Sequence, residues 1–241
     1  PIPLPGTVDG PGVEPECAGF VSLVDVPLVY GMTPGETALY LRDGLGLDLE
    51  LDVARMRGYE RQPGRDADWP AWIPPSPAMR SWESARCYPA TVFCEALPAV
   101  DNGRATNLPF QLLGASWLGG SEAAEMLNSL ELPGIVFHAH RYLPHAESRD
   151  CLAGLRLTVT DPRRYRPVLT SAAIVATLQS LYGADRLWGT ASARPEFFDR
   201  LYGTPAVRRA LCEGWAPDRI AAEWRRYNST FKRKRREWLL Y

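Results

Sequence analysis

Apolar residues recur at regular intervals through the second half of the chain, and the interval changes from segment to segment. After Ser121, a candidate N-cap, they fall at i, i+3, i+4 and i+7, which predicts an amphipathic helix. Two later segments place apolar residues on one side of an extended chain, which predicts two strands. The helix positions are Ala123, Met126, Leu127 and Leu130; the strand positions are Ile135, Phe137, Ala139 and Leu143, then Leu155, Leu157 and Val159.

Three further helices are predicted towards the end of the chain. The first, Ser171–Tyr182, ends at Gly183, and the second, Pro205–Cys212, is closed by Gly214. The third is a long helix over Pro217–Trp238. Its predicted buried stripe consists of Ile220, Trp224, Tyr227 and Phe231.

The first half of the chain is more irregular. Apolar Phe20–Tyr30 and alternating Leu47–Arg57 both predict strands. Between them, Thr33 and Glu36 have the spacing of a capping box, which predicts a helix that stops at Gly44.

The next two segments are a predicted loop and a predicted partial helix. Asp66–Pro77 is predicted to be a loop because it is rich in proline, and Arg80–Glu95 to be partly helical with an interruption at Pro89. Helices and strands alternate without a regular βαβ rhythm, so the fold class predicted is α+β.

Composition and charge exclude several classes of function. The 241 residues carry a net charge of −1, which gives no overall field to attract nucleic acid or an anionic membrane. No apolar run approaches the roughly 18 residues of a membrane span. Motifs of nucleotide-binding loops, serine hydrolases and zinc proteases are missing from the sequence. The opening PIPLPGTVDGPG has neither an initiator Met nor a signal-peptide pattern, so we expect an internal region of a longer protein.

Two other groups of residues have an ordinary explanation. His138 and His140 would share one side of a strand, with His145 nearby, and three imidazoles can bind zinc. No carboxylate or thiolate has matching spacing, so we favour a half-exposed polar face and predict no metal or cofactor. We interpret the basic run Lys232–Arg236 as the solvated end of a helix. The five cysteines are scattered, and we interpret them as thiols without a catalytic or metal-binding role.

The segment Glu95–Phe110, EALPAVDNGRATNLPF, concentrates polar groups between two apolar runs. Glycosidases use two carboxylates about 5–10 Å apart, and a folded loop can bring Glu95 and Asp101 to that separation. Arg104 can bind a substrate carboxylate through two hydrogen bonds. The alternative is that Arg104 and Asp101 pair with each other and only order the loop.

Several segments in the same order resemble the NamZ-type exo-β-N-acetylmuramidases, bacterial enzymes of peptidoglycan turnover. The loop FCEALPAVDNGRATNLPFQ, followed by GASW at Gly114–Trp117, is similar to that family's FEGTNLSEGRGTTRPFE followed by GAPW. YGMTPGE at Tyr30–Glu36 resembles HGMTxGE, and WIPPSPAM at Trp72–Met79 resembles WVxPSPNMP. LTVTD, FDRLYG and the terminal WLLY also match, so the resemblance spans nearly the whole chain.

The resemblance implies two domains and a reaction. Residues 1–100 would be the remnant, the C-terminal part, of an N-terminal Rossmann-like catalytic domain. Residues 101–241 would form a smaller C-terminal α+β domain. The reaction would be removal of terminal N-acetylmuramic acid from the non-reducing end of a peptidoglycan fragment, which places the protein in the cell envelope or in cytoplasmic handling of imported fragments.

Roles for individual residues follow from the resemblance. Glu95, the family's first glutamate, would be the general acid, with its pKa raised by apolar Phe93 and Leu97, and Asp101 would assist it. Arg104 would hold the lactyl carboxylate of muramic acid. Substrate binding would also involve Tyr30, Asn102 and Thr106, with Trp69, Trp72 and Trp117 as stacking surfaces.

Departures from the family pattern leave a second hypothesis open. Tyr30 stands where the family has a histidine, and Asn102 replaces its second glutamate. Ala105 replaces a glycine. Because an amide cannot act as a general base, the chain is either an enzyme in which Asp101 substitutes or an inactive glycan-binding or interaction module.

Overall fold

The computed structural model describes residues 4, 6–61 and 72–241 and contains a small antiparallel sheet. Its three strands are β1 (Leu112–Ala115), β2 (Ile135–Tyr142) and β3 (Leu152–Val159), in the order β1-β3-β2. Phe137 pairs with Leu157, and Leu113 pairs with Leu155. The two predicted strands are confirmed, although Ala139 and Leu143 are exposed.

Helices form most of the remaining regular structure. Within the described residues their bounds are α1 Pro34–Gly44, α2 Trp82–Thr91, α3 Gly120–Ser129, α4 Pro167–Tyr182, α5 Asp185–Trp188, α6 Pro195–Tyr202, α7 Ala206–Cys212, α8 Pro217–Glu223 and α9 Arg225–Lys234. Short 3₁₀ turns cover Pro15–Cys17, Val92–Glu95 and Arg235–Trp238. No helix among the described residues is both long and apolar enough to cross a membrane.

Helix α1 begins as the sequence predicts. The Thr33 hydroxyl accepts a hydrogen bond from the Glu36 amide, and the Glu36 carboxylate accepts one from the Thr33 amide at 2.8 Å. Glu36 is completely buried, and it also bonds Arg61 and the amide of Leu240. The capping box therefore also anchors the end of the chain.

Both strands predicted in the first half are wrong. Phe20–Tyr30 forms only isolated bridges, such as Asp9 with Val29, and Leu47–Arg57 has no strand partner among the described residues. Leu47 and Leu49 are exposed. Alternation indicates a strand only where a neighbouring strand supplies hydrogen bonds, and none lies beside these segments in the described structure.

Helix boundaries differ from the predictions where tertiary contacts intervene. Pro89 lies inside α2, which continues to Thr91. The long helix predicted over Pro217–Trp238 is divided at Trp224, whose indole donates a hydrogen bond to buried Asp9. Helix α3 buries Ala123 and Leu127 as predicted, whereas Met126 and Leu130 are exposed.

Helix α4 is the buried centre of the α-helical part. It begins at Pro167, four residues before the predicted Ser171, and the Asp9 carboxylate accepts hydrogen bonds from the amides of Val168 and Leu169. It packs against α2, α3 and α8. The mixed α+β class is thus confirmed. The Rossmann-like nature of residues 1–100 and the boundary at residue 100 stay predictions.

Candidate active site

The loop that carries the candidate carboxylates is closed by backbone hydrogen bonds. Asp101 and Gly114 exchange amide-to-carbonyl bonds of 2.8 and 2.9 Å, and the Phe110 amide donates to the Asn102 carbonyl at 2.9 Å. Gly103 has a φ of 67°, and an added Cβ would lie 2.8 Å from the Cβ of Leu112. The chain therefore needs glycine at this position for the loop to lie against β1.

The Asp101 carboxylate is fixed from two sides. Its Oδ1 accepts hydrogen bonds from the Gly103 amide and from the Tyr142 hydroxyl, both at 2.8 Å. Burial, and then the charge of Asp101, raise the pKa of the Tyr142 phenol, so this phenol remains a donor. Arg104 forms no ion pair with Asp101, so the alternative in which these two order the loop is not what the structure contains.

Glu95 is held in a similar way at the end of the 3₁₀ turn that follows α2. Its Oε1 accepts a hydrogen bond from the Tyr88 hydroxyl at 3.2 Å. Its backbone carbonyl accepts one from the Arg194 side chain, while the Arg194 amide donates to the carbonyl of Ala96. Burial raises the pKa of the Tyr88 phenol and the negative charge of Glu95 raises it further, whereas the positive charge of Arg104 lowers it.

Both carboxylates affect the pKa of one buried thiol, that of Cys94. Burial is the largest cause of the raised pKa of Cys94, and Asp101 and Glu95 each raise it further. Both side chains are half-buried. Half-buried carboxylates can serve acid–base chemistry, provided that a substrate reaches them.

The other candidates from this loop differ in accessibility. Arg104 is exposed and has no hydrogen-bond partner in the part of the chain that the structure describes. Asn102 is buried, at 8% exposure. The Thr106 hydroxyl is engaged within the loop, since it donates to the Gly103 carbonyl at 2.7 Å and accepts from the Leu108 amide at 3.0 Å.

The candidate substrate-binding residues outside this loop make their contacts in other parts of the structure. Tyr30 is buried in a second core cluster with Met32 and Tyr40. The Trp72 indole donates to the Met79 carbonyl at 2.7 Å, and its ring packs on Trp82 at 4.4 Å between centroids. Trp69 lies outside the described residues.

Trp117 lines a cavity of about 530 Å³ together with Tyr182. A second cavity of about 550 Å³ lies between the N-terminal segment and α7–α8, where Trp215, Trp224 and Tyr227 line it. Neither Glu95 nor Asp101 is among the residues that line these two cavities.

Sequence reasoning missed the groups that orient the carboxylates. Tyr88 lies seven residues before Glu95, across a helix end, and no spacing rule connects the two. Tyr142 falls on the same side of β2 as His138 and His140, and its ring stacks on His140 at 6.3 Å. The one feature of the sequence that could have indicated Tyr142 is its position at the end of a predicted strand. Its contact with Asp101 depends on how β1 and β2 flank β3.

The three histidines do not form a metal site in this structure. Within residues 4, 6–61 and 72–241, no group of three or more His, Cys, Asp or Glu side chains is placed to hold a metal ion. His138 and His145 are exposed.

Comparisons with known proteins agree on one family. The model for the C-terminal part of the exo-β-N-acetylmuramidase NamZ matches residues 86–241, and the model for its N-terminal part matches residues 1–83. The peptidoglycan β-N-acetylmuramidase NamZ of Bacillus subtilis (strain 168) is 34% identical over 237 residues.

Two solved structures of DUF1343 family proteins from Bacteroides fragilis NCTC 9343 share the fold. Their TM-scores are 0.87 and 0.72, each at 25% identity, over 99% and 100% of this chain. The chain covers 64% of each of those structures and 56% of the Bacillus relative, so it spans little more than half of the curated relative. Two family models that together match nearly all residues show that the chain belongs to the NamZ exo-β-N-acetylmuramidase family.

Proposed function

We propose that the protein is a peptidoglycan glycoside hydrolase that releases terminal N-acetylmuramic acid from the non-reducing end of glycan fragments. One observation carries the proposal: in a chain of this family, two half-buried carboxylates sit in the motif loop, and a phenol from a different element is bonded to each. Orientation by neighbouring hydrogen-bond donors is what acid–base residues require.

Glu95 is assigned as the general acid and Asp101 as the assisting carboxylate. The Tyr88 hydroxyl donates a hydrogen bond to Oε1 of Glu95, and the Tyr142 hydroxyl donates one to Oδ1 of Asp101. The second oxygen of each carboxylate has no hydrogen-bond partner among the described residues. Those second oxygens are the atoms available to protonate the leaving oxygen and to stabilise positive charge on the sugar or activate water.

Arg104 is assigned to the lactyl carboxylate of muramic acid. Its exposed guanidinium has no hydrogen-bond or ion-pair partner in the described part of the chain, so an anionic sugar substituent can pair with it. Asn102 and Thr106 would then act chiefly through the loop that they shape, because one is buried and the other is bonded within it. Trp117, whose ring packs on Tyr182, is assigned as a stacking surface for a sugar ring.

The test is release of muramic acid from a muramic acid-terminated disaccharide by the full-length protein. Glu95→Gln and Asp101→Asn are each expected to lower kcat by about 100-fold or more, with KM changed little. Asp150→Asn, an exposed acid-to-amide change, is the matched control and should retain full activity. Release that persists undiminished in both variants would rule out these assignments.

A second candidate function is glycan binding without turnover. Asn102, where the family has its second glutamate, favours it, because an amide cannot act as a base. Calorimetry with a muropeptide fragment separates the two functions. Binding without release of sugar supports the binding module, and absence of binding excludes both.

A further inference from the structure

The cavity between the N-terminal segment and α7–α8 has a lining that is both acidic and aromatic. Its volume of about 550 Å³ falls in the range of small-molecule sites. Among the described residues that line it, Arg209 is the only basic one, whereas four are acidic: Glu14, Asp25, Glu213 and Glu223. The lining therefore carries a formal excess of three negative charges, which favours a cationic ligand.

One wall of this cavity is fixed by hydrogen bonds to the Asp25 carboxylate. Its Oδ1 accepts from the Val13 amide at 3.0 Å and from the Tyr227 hydroxyl at 2.5 Å. At Gly12, an added Cβ would lie 2.5 Å from the Tyr227 ring and 2.6 Å from Oδ1 of Asp25, so a side chain there would disturb this contact. Oδ2 of Asp25 has no hydrogen-bond partner among the described residues, and this preorganised oxygen is available to a ligand.

Two further carboxylates of the lining are uncommitted. Glu213 follows α7, and Glu223 is the last residue of α8. In the part of the chain that the structure describes, neither side chain has a hydrogen-bond or ion-pair partner, and both residues are exposed. Glu14, by contrast, accepts a hydrogen bond from the Thr204 hydroxyl. A ligand can therefore engage Glu213 and Glu223 without displacing an internal bond.

Aromatic rings add to the attraction for a cation. The Trp224 N–H donates to Asp9 at 3.1 Å, so Trp224 offers the cavity its ring rather than a hydrogen-bond donor. Trp215 is half-buried, and the Arg219 guanidinium lies 3.5 Å from the centroid of its ring, which is a cation–π contact. Of the aromatic side chains, tryptophan binds cations best through its π system. The described lining thus combines such rings with free carboxylates.

We propose that this cavity binds an organic cation in which an ammonium group ends an unbranched aliphatic stem, as in a lysine side chain. The three N–H donors of an ammonium point in different directions and suit carboxylates from different segments, whereas a flat guanidinium suits a single carboxylate. The stem packs on apolar side chains of the lining, which include Val13, Val207 and Ile220. The inference goes beyond the proposed function, because neither Glu95 nor Asp101 lines this cavity.

The test is a calorimetric titration of the full-length protein with N-acetyl-lysine amide. N-acetyl-norleucine amide is the matched neutral ligand, because it keeps an unbranched aliphatic stem and lacks the ammonium group. Wild type should bind the lysine derivative saturably with a Kd below about 1 mM, and about tenfold or more tightly than the norleucine derivative. The affinity should fall several-fold when the salt concentration is raised from about 0.05 M to about 0.5 M, because salt screens the attraction.

Variants locate the binding within the molecule. Glu213→Gln and Glu223→Gln should each weaken binding of the lysine derivative about threefold, and Trp215→Leu about fivefold. Glu50→Gln, at an exposed glutamate, and Trp188→Leu, at a half-buried tryptophan, are the matched controls, because neither residue lines this cavity. Both controls should bind like wild type.

Each outcome has a defined meaning. Absence of saturable binding by wild type, equal affinity for the two ligands, or equal weakening by Glu50→Gln overturns the cation site. If Trp215→Leu fails to fold, Glu213→Gln and Glu223→Gln decide the question, because both residues are exposed. Lysine binding without release of muramic acid from the disaccharide keeps the cation site and refutes the hydrolase, and release without lysine binding does the reverse.

Discussion

Replacing Asp9 with alanine is expected to destabilise the whole chain, because one buried carboxylate joins three segments. Asp9 is 2% exposed. Its Oδ2 accepts from the amides of Val168 and Leu169, at 2.9 and 3.3 Å. Its Oδ1 accepts from the Arg166 side chain at 3.2 Å and from the Trp224 indole at 3.1 Å.

The magnitude follows from what the substitution leaves behind. Alanine leaves the Val168 amide and the Trp224 indole without an acceptor in a buried site, at about 1–3 kcal/mol each. It also removes a negative charge from the N-terminus of α4, which contributes up to about 2 kcal/mol in partly buried geometries. We therefore expect Asp9→Ala to lower the free energy of unfolding by about 3–5 kcal/mol. Asp9→Asn should lose less, because the amide oxygen still accepts.

Urea unfolding measures this loss, followed by circular dichroism at 222 nm and by tryptophan fluorescence. The two signals should shift together, because Asp9 links α4 to Trp224. Asp150→Asn, which is exposed, should stay within about 0.5 kcal/mol of wild type. A loss below about 1 kcal/mol for Asp9→Ala would refute the reasoning, because it would mean that water or relaxation satisfies the abandoned donors.

Three further predictions concern other buried groups. Tyr142→Phe removes the 2.8 Å bond to Asp101 and should cost about 1–2 kcal/mol in urea unfolding, together with a fall in any glycosidase activity. Glu36→Gln removes the charge of a completely buried carboxylate that is paired with the partly buried Arg61, and it should cost about 3 kcal/mol or more. Ellman's reagent should modify two thiols of the folded protein, those of exposed Cys151 and Cys212, and the other three only in denaturant.

Controls make these predictions specific. Leu143 is the neighbour of Tyr142 and is exposed, so Leu143→Ala is the control for Tyr142→Phe. Glu50 is an exposed glutamate, so Glu50→Gln is the control for Glu36→Gln. Both control variants should leave the free energy of unfolding nearly unchanged. If Tyr142→Phe lost no more than Leu143→Ala, the bond to Asp101 would contribute nothing measurable. Rapid modification of the buried Cys94 would contradict the burial that raises its pKa.

Local signals predicted the elements whose formation is local. The capping box of Thr33 and Glu36 and the turn glycines at the ends of α4 and α7 depend on neighbours within a few residues. The strands β2 and β3 were also predictable, because a half-buried pairing leaves a period of two in the sequence. Leu47–Arg57 shows the limit, since it has the same period without a neighbouring strand in the described structure.

The sequence by itself determined the family resemblance, the capping box, the second half's main helices and strands, and the loop that holds Glu95 and Asp101. The tertiary structure alone decided which groups orient these carboxylates, where the last helix divides, and that Trp117 faces a cavity. The physical reason for this division is the distance along the chain over which each interaction acts. Propensity and periodicity act over a few residues, whereas the bond from Tyr142 to Asp101 spans 41 residues and that from Trp224 to Asp9 spans 215. Such contacts exist only once the chain has packed.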